Sequence, residues 1–231
     1  MKILALETAT EACSIALQVG DEVIVDHRIA PRQHTELLLP MIKELLSKAS
    51  LQAQDLDGIA FGRGPGAFTG VRIACGIAQG LALGAGVPLL SVSTLQTLAQ
   101  GAYRQHGAEK IITAIDARMN EVYYAAFEIT EKRLAQALIF ERVCAPENIE
   151  SPESNGSWCG VGTGFASYAQ ALNCELGQYL TKVIDDALPN AIDILPMARD
   201  LLAQGKVTAL EDAVPVYLRD NIAKKSTKRV F

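Results

Sequence analysis

Residues 62–84 read GRGPGAFTGVRIACGIAQGLALG, and this stretch decides the fold. A short apolar strand is predicted just before it, over residues 57–61. Its glycines and Pro65 are typical of a tight turn, and the small and apolar residues after the turn predict a helix over residues 69–85. A strand, a glycine-rich loop and a helix in this order are a unit of an α/β fold.

Further elements surround this unit on both sides. Three apolar runs separated by polar turns predict a meander of strands, over residues 2–7, 12–19 and 22–29. Residues 35–49 predict a helix, in which Pro40 is tolerated only near the first turns. Its apolar positions recur at helical spacing: Leu38, Met41, Ile42, Leu45 and Leu46. A strand over residues 88–92 and a helix over residues 94–103 complete the first part of the chain.

The order of elements then restarts. A strand over residues 110–115 ends in the acidic turn Asp116-Ala117-Arg118, and another strand is predicted over residues 121–129. Residues 158–161 then lead into Gly162-Thr163-Gly164 and an alanine-rich helix. A repeat of about a hundred residues predicts two lobes with one topology. We therefore predict an N-terminal lobe over residues 1–106 and a C-terminal lobe over residues 107–231.

Composition and charge limit the classes of function. The chain has 231 residues, of which 49% are hydrophobic and 20% charged, so it is globular and not generally disordered. A net charge of −5 excludes polyanion binding by the chain as a whole. The C-terminal tail differs, since it carries Arg219, Lys224, Lys225, Lys228 and Arg229 against Asp220 alone. We expect this tail either to contact RNA phosphate or to be a solvated end.

The cysteines and the N-terminus predict a cytoplasmic protein. Five cysteines without a CxxC pair are typical of reduced thiols, and the start MKILALETAT has too short an apolar run for a signal peptide. Residues 73–103 carry no charge. However, Gln79, Pro88 and repeated glycines divide them into a helix and a strand, so we expect no membrane span.

Two features would suit phosphate binding. A strand that ends in Glu7, followed by a turn with Thr8 and Thr10, is how actin-like ATPases hold phosphate and metal. The glycine-rich loop precedes a helix N-terminus, whose N–H groups can bind an anion, although it lacks the Lys-Ser/Thr of a Walker loop. The alternative is a structural turn that Pro65 stiffens, and both interpretations stay open at this point.

Other catalytic chemistry finds little support. The chain has three histidines, and none forms an HExxH-type metal pair: His27, His34 and His106. We expect His34 to cap or pack the start of the first helix. No serine lies in a GxSxG elbow. Asp116, Arg118 and Glu121 are candidates to line a cleft between the lobes, or Asp116 only stabilises its turn. We predict no catalytic residue, no metal and no cofactor.

Six stretches together resemble the TsaB (YeaZ) family of bacterial proteins: LETATEACSIAL, GRGPGAFTGVRIACGIAQGLALG, VSTLQTLAQGA, AIDARMNEVYYAAF, VGTG and PVYLRDN. They span residues 1 to 221, and GPGAFTGVR is a specific signature. The resemblance implies a two-lobe actin-like/Hsp70-like (ASKHA) fold with duplicated ribonuclease-H-like lobes. Glu7 departs from the family pattern because many members carry Asp there, which weakens the expectation of a metal–phosphate site.

The resemblance also implies a function. The chain would be a non-catalytic subunit of the complex that forms threonylcarbamoyladenosine beside the tRNA anticodon, and its partner would be a TsaD-like threonylcarbamoyltransferase. That paralogue carries an HxxxH metal motif, whereas the matching residues 92–98 here, VSTLQTL, offer no His and no carboxylate. A TsaC-like synthase would supply the adenylate, a TsaE-like ATPase would join the complex, and tRNA would bind through it. An ATP-hydrolysing or phosphotransferring enzyme that uses Glu7, Thr8 and Thr10 is the alternative, and a glycoprotease is a third.

The second predicted helix carries a sign of close packing. Glycine inside a helix costs about 1 kcal/mol relative to alanine, so Gly76, Gly80 and Gly84 call for another backbone nearby, either of the chain's own sheet or first helix or of a partner. In the TsaB family the first two helices pack against the matching pair of the partner. The resemblance therefore places a partner interface in the N-terminal lobe, and the same helices could form a homodimer in isolation. Its expected residues are Leu38, Met41, Ile42, Leu45, Arg72, Gly76, Gly80 and Gly84.

Overall fold

Two five-stranded sheets form the framework of the protein, in a computed structural model that describes residues 1–152 and 157–219. The first sheet has the strand order β3-β2-β1-β4-β5. Its strands are β1 (Lys2–Glu7), β2 (Ala12–Val19), β3 (Glu22–Ile29), β4 (Gly58–Gly62) and β5 (Leu89–Val92). The first three strands are antiparallel neighbours, while β4 and β5 run parallel to β1.

The second sheet repeats this arrangement with the order β10-β9-β6-β7-β8. Its strands are β6 (Lys110–Arg118), β7 (Glu121–Ile129), β8 (Ala135–Cys144), β9 (Trp158–Val161) and β10 (Leu180–Ile184). Strands β6, β7 and β8 are antiparallel, and β9 pairs in parallel with both β6 and β10. The predicted two-lobe fold with duplicated ribonuclease-H-like sheets is confirmed.

Within the described residues, six α-helices cover the sheets. They are α1 (His34–Lys48), α2 (Phe68–Ala85), α3 (Thr94–His106), α4 (Thr163–Ser167), α5 (Ala169–Leu176) and α6 (Leu195–Ala203). Parallel neighbours such as β4 and β5 need a crossover connection, and α2 supplies it. Helix α1 continues through Pro40, which lies in its second turn.

The lobes exchange helices, so the packing crosses the predicted boundary between residues 106 and 107. Helix α3 precedes that boundary, yet its apolar side chains pack on the second sheet, with Leu98 beside residues such as Ile111. Helix α6 follows the boundary, yet it packs on the first sheet against Ile3 and Ala5. The predicted boundary follows chain order, whereas the packing places α3 on the second sheet and α6 on the first.

One ion pair ties the exchanged segments together. The Arg104 guanidinium on α3 binds the Asp193 carboxylate just before α6, with Nε–Oδ1 and Nη2–Oδ2 distances of 2.6 and 3.0 Å. The Asp193 side chain is 2% exposed, and this burial raises its pKa, which the Arg104 interactions oppose. The pair therefore links the lobes where their helices cross.

Helices α1 and α2 bury small and apolar side chains on one face of the first sheet. In α1 these are Leu38, Met41, Ile42 and Leu45, which are 0–3% exposed. In α2 they include Ala74, Ala78 and Ala82. Helix α2 is long and apolar enough to cross a membrane by length and composition, with a mean hydropathy of 1.3, but 33% of it is buried within its own lobe. It forms the crossover of an α/β lobe.

Candidate functional site

The first turn, between β1 and β2, is closed by its own groups. The Glu7 side chain is fully buried: the Ala9 N–H donates to Oε1 at 2.8 Å and the Thr94 hydroxyl donates to Oε2 at 3.0 Å. A Cβ atom added to Gly62 would lie 2.0 Å from Oε2. Burial raises the pKa of Glu7 to about 7. The carboxyl group therefore serves the interior of its lobe and is not free to hold a metal or phosphate.

The glycine-rich loop packs directly on this first turn. A Cβ atom on Gly66 would lie 2.4 Å from the Ala9 carbonyl oxygen, and one on Gly70 would lie 1.9 Å from the Thr8 carbonyl oxygen. The Ala67 N–H donates to the Ala9 oxygen at 2.7 Å, and the Thr8 hydroxyl donates to the Gly70 oxygen at 2.7 Å. The geometry favours the structural interpretation of the loop, since its glycines allow backbone to meet backbone.

The second turn, between β6 and β7, faces a cavity of about 540 Å³ between the lobes. Asp116 and Arg118 line this cavity, as predicted, whereas Glu121 is not among its lining residues. The Asp116 carboxylate accepts the Arg118 N–H at 2.7 Å and the Tyr168 hydroxyl at 3.1 Å. The Arg118 side chain is 76% exposed. Asp116 thus lines the cleft and also stabilises its own turn.

Residues 208–219, which we call the C-terminal strap, run along α2 into the same cavity. The Thr208 N–H donates to the Leu89 oxygen at 2.8 Å, and the Val216 N–H donates to the Arg63 oxygen at 2.9 Å. Arg219 closes the strap with an ion pair to Glu121. Its side chain is 19% exposed, so it is not the free cation that the tail prediction requires. The tail residues Lys224, Lys225, Lys228 and Arg229 lie outside the described residues.

The side chain of Arg72, a residue of α2, lies against the strap. Its Cζ atom is 3.2 Å from the centroid of the Phe68 ring and 5.3 Å from that of Tyr217. Its Nε donates to the Tyr217 hydroxyl at 2.7 Å. The expected interface residue Arg72 therefore has a partner within the chain, and it holds the strap beside the exposed face of α2.

Gly76, Gly80 and Gly84 form a strip on the exposed face of α2, which we call the glycine strip. A Cβ atom added to any of them would meet no atom of the described residues within 4 Å. Packing on the chain's own sheet or first helix therefore does not explain these glycines, and that interpretation is wrong. Leu83 lies beside the strip and is 70% exposed. In the part of the chain that the structure describes, nothing covers this uncharged strip.

The expected interface residues on α1 need a correction. The side chains of Leu38, Met41, Ile42 and Leu45 belong to the core of the first lobe. They share one helix face, as the spacing predicted, but that face meets the lobe's own sheet. A partner that contacts α1 would meet other side chains, such as Leu39, which is 52% exposed.

The histidines and acidic residues do not assemble into a metal centre in the part of the chain that the structure describes, where no group of three or more His, Cys, Asp or Glu side chains is placed to hold an ion. His34 is buried at the start of α1, with Nε2 3.2 Å from the Ala12 oxygen. The prediction that it packs this end of the helix is confirmed.

Two duplicated lobes with a cavity between them define a member of the ASKHA fold group, in which the Glu7 carboxyl at the first turn is buried. Comparison with known proteins identifies the family within this fold group. The family model described as "TsaD: tRNA N6-adenosine threonylcarbamoyltransferase" matches residues 24–227.

Named relatives agree with this assignment. Proteins called "tRNA threonylcarbamoyladenosine biosynthesis protein TsaB" are similar to the chain, at 45% identity in Escherichia coli, with 97% of each chain covered, and at 42% in Haemophilus influenzae, with 97% of this chain and 96% of that one covered. The solved structure of YeaZ from Pseudomonas aeruginosa is 41% identical and superposes with a TM-score of 0.86, over 94% of this chain and 99% of that one. The chain belongs to the TsaB (YeaZ) family, within the broader family that the TsaD model describes.

Proposed function

We propose that this chain acts in tRNA threonylcarbamoyladenosine biosynthesis as the non-catalytic partner of a TsaD-like threonylcarbamoyltransferase. The glycine strip is the observation that carries the proposal. Three exposed glycines in one helix lower its stability, and no packing within residues 1–152 and 157–219 offsets this cost. A helix docked on the glycine strip would offset this loss of stability, because its backbone can approach glycine closely.

The proposed docking surface is the exposed face of α2 around the glycine strip, and it is uncharged at its centre. Other contacts of α2 with the chain lie on both sides of this strip. The strap borders α2 on one side, where Gln79 Nε2 donates to the Leu210 oxygen at 3.0 Å. On the other side Ile73 and Ile77 pack on the lobe core and are partly buried. Apolar centres with few charges are typical of stable protein–protein interfaces. The match to a TsaD family model is consistent with a partner that has a related first lobe and presents the equivalent helix pair.

The absence of catalysis is the second element of the proposal. Two of the three residues that an ATP-hydrolysing or phosphotransferring enzyme would use are engaged inside the first lobe, since Glu7 accepts bonds from Ala9 and Thr94 while Thr8 donates to Gly70. The third, Thr10, lines the interlobe cavity. Residues 92–98 carry no metal ligand of the kind that the transferase paralogue uses. The chemistry would therefore take place in the partner.

The remaining partners follow from this role. The complex would be cytoplasmic, would recruit a TsaE-like ATPase and would bind tRNA, while a TsaC-like synthase would supply the threonylcarbamoyl adenylate. In the absence of the transferase, two copies of the chain would pair through the same α2 face. No membrane contact is part of the proposal.

Reconstitution tests the proposal. The chain should co-elute with a purified TsaD-like transferase in size-exclusion chromatography, and the full set of proteins should form threonylcarbamoyladenosine on tRNA only when the chain is present. The chain alone should form none and should contain no stoichiometric iron or zinc by elemental analysis. Separate elution of the two proteins, or modification that proceeds without the chain, would contradict the partner role. Modification by the chain without the transferase would contradict the non-catalytic one.

A further inference from the structure

Arg219, at the end of the strap, is surrounded by acceptor atoms from the second turn. Its Nη2 donates to the carbonyl oxygens of Ala117 at 3.2 Å and Arg118 at 3.3 Å, and it pairs with the Glu121 carboxylate. Its Nη1 lies 3.5 Å from the Met119 sulfur. One turn thus directs oxygen and sulfur acceptors at a single guanidinium group.

The backbone of this turn is shaped for that role. Arg118, Met119 and Asn120 have φ angles of 62°, 59° and 60°, a left-handed conformation that non-glycine residues rarely adopt. Such a conformation persists where surrounding contacts hold it. The bonds from Arg219 to two successive carbonyl oxygens are contacts of this kind.

The polarity of the turn selects the chemical class of its ligand. A guanidinium group has five N–H donors and no acceptor, and its planar fork suits several oxygens at once. A phosphate group needs donors, and here it would meet two carbonyl oxygens and a carboxylate. The side chains of Arg219 and Glu121 are 19% and 34% exposed, so the pair is partly shielded from water.

The other described contacts of the strap are with the first lobe. Thr208 binds the Leu89 oxygen, the Cys75 thiol donates to the Ala213 oxygen, and Val216 binds the Arg63 oxygen. Arg219 is the point where the described strap reaches the second lobe. Losing this one side chain would therefore release the strap from the second lobe and loosen its end, where Val216 and Tyr217 keep only their bonds to Arg63 and Arg72, while its beginning stays in place.

We propose that the β6–β7 turn is a guanidinium-binding site, filled in cis by Arg219, which fastens the C-terminal strap across the two lobes. The site takes the chain's own arginine, and a free guanidinium compound fits it when that arginine is removed. This proposal goes beyond the partner role, because it concerns the isolated chain and needs neither tRNA nor a transferase.

Hydrogen exchange of the full-length chain tests the site. In Arg219→Ala the Val216 amide, which donates to Arg63, should exchange faster than in the wild type by about tenfold or more, because the end of the strap opens locally. The Thr208 amide, at the fixed end of the strap, should exchange at the wild-type rate. Millimolar methylguanidinium should restore slow exchange at Val216.

Matched controls separate a site from a general charge effect. Tetramethylammonium carries the same charge without N–H donors and should not restore protection. Arg219→Lys keeps the charge without the fork and should exchange faster than the wild type. Unchanged exchange in Arg219→Ala would overturn the proposal, because the strap would be held elsewhere. Fast exchange that methylguanidinium does not slow, or that both cations slow equally, would also overturn the guanidinium site.

Discussion

The two lobes share one strand order, but their first hairpin turns bind different groups. In the first lobe the turn after β1 is closed, with the Glu7 carboxyl buried and held by Ala9 and Thr94. In the second lobe the carbonyl oxygens of the turn after β6 bind the Arg219 guanidinium, and Asp116 lines the interlobe cavity, which Ala9, Thr10 and Glu11 of the first turn line as well. A duplicated topology therefore does not preserve a duplicated site.

The glycine-rich loops of the two lobes pack alike, but the helices after them differ. In both lobes a glycine loop packs on the backbone of the lobe's first strand or of the turn just after it: Gly66 and Gly70 against Thr8 and Ala9, and Gly162 and Gly164 against Ala114 within β6. The helices that follow differ. The 18-residue α2 exposes the glycine strip, whereas the five-residue α4 is short. The first lobe thus exposes the glycine strip, and the second lobe binds the end of the strap.

The largest effect is expected where the first loop meets its turn. Gly70→Ala would place a methyl group 1.9 Å from the Thr8 oxygen, which must displace backbone, and we expect a loss of about 3 kcal/mol of unfolding free energy. Gly164→Ala meets Ala114 atoms at 2.9–3.0 Å and should lose about 1–2 kcal/mol. Urea denaturation measures both. Equal losses would mean that the two loops are packed alike.

The closed turn should make stability depend on pH. The Glu7 carboxyl has an ordinary pKa of 4.5 and a folded pKa of about 7, so the folded chain binds this proton more tightly between these values. Its contribution is therefore full below pH 4.5 and is lost as the pH rises through 7, by about 2–3 kcal/mol.

Glu7→Gln should remove this dependence, because the amide does not titrate. Urea denaturation at several pH values should show the wild type losing stability relative to Glu7→Gln between pH 5 and pH 8 by about 2–3 kcal/mol. Parallel pH profiles of the two proteins would show that the first turn is not closed around a protonated carboxyl.

The smallest effect should be a gain. Gly80→Ala adds a methyl group to open space on α2, so helix propensity alone acts and the isolated chain should gain about 0.5–1 kcal/mol. Thermal unfolding of the isolated chain, measured at a concentration too low for self-association, checks it. A loss of stability would show that the glycine strip is packed within the chain.

Sequence patterns predicted the elements whose signals are local. The meander β1–β3, the glycine loop and α2 follow from alternation, turn residues and helical spacing, and their predicted bounds agree within one or two residues. Strand β8 was missed because Leu138 and Phe140, which are 47% and 77% exposed, obscure its alternation. Strand β10 and helix α6 were not predicted either. Strand β10 is short and largely exposed, and α6 is a short helix with Pro196 in its first turn.

The site was less predictable because its contacts join distant residues. Spacing showed that Leu38 and Met41 share a helix face, but it cannot tell whether that face meets the lobe's own sheet or a partner. Arg219 lies in a run of basic residues, so the sequence predicted that it is a free cation of the C-terminal tail. Its partner Glu121 lies 98 residues away, and no local pattern connects the two.

The most direct test of the account compares one leucine on each lobe. Gly80→Leu adds a side chain to the exposed glycine strip, and Ala169→Leu adds one to an exposed position of α5 in the second lobe. Isothermal titration with the TsaD-like transferase measures the affinity of each variant, after circular dichroism has shown that both are folded. We expect Gly80→Leu to weaken binding by about 5- to 150-fold through overpacking of the interface, and Ala169→Leu to bind like the wild type. Wild-type affinity in a folded Gly80→Leu variant would contradict the assignment of the docking face to α2.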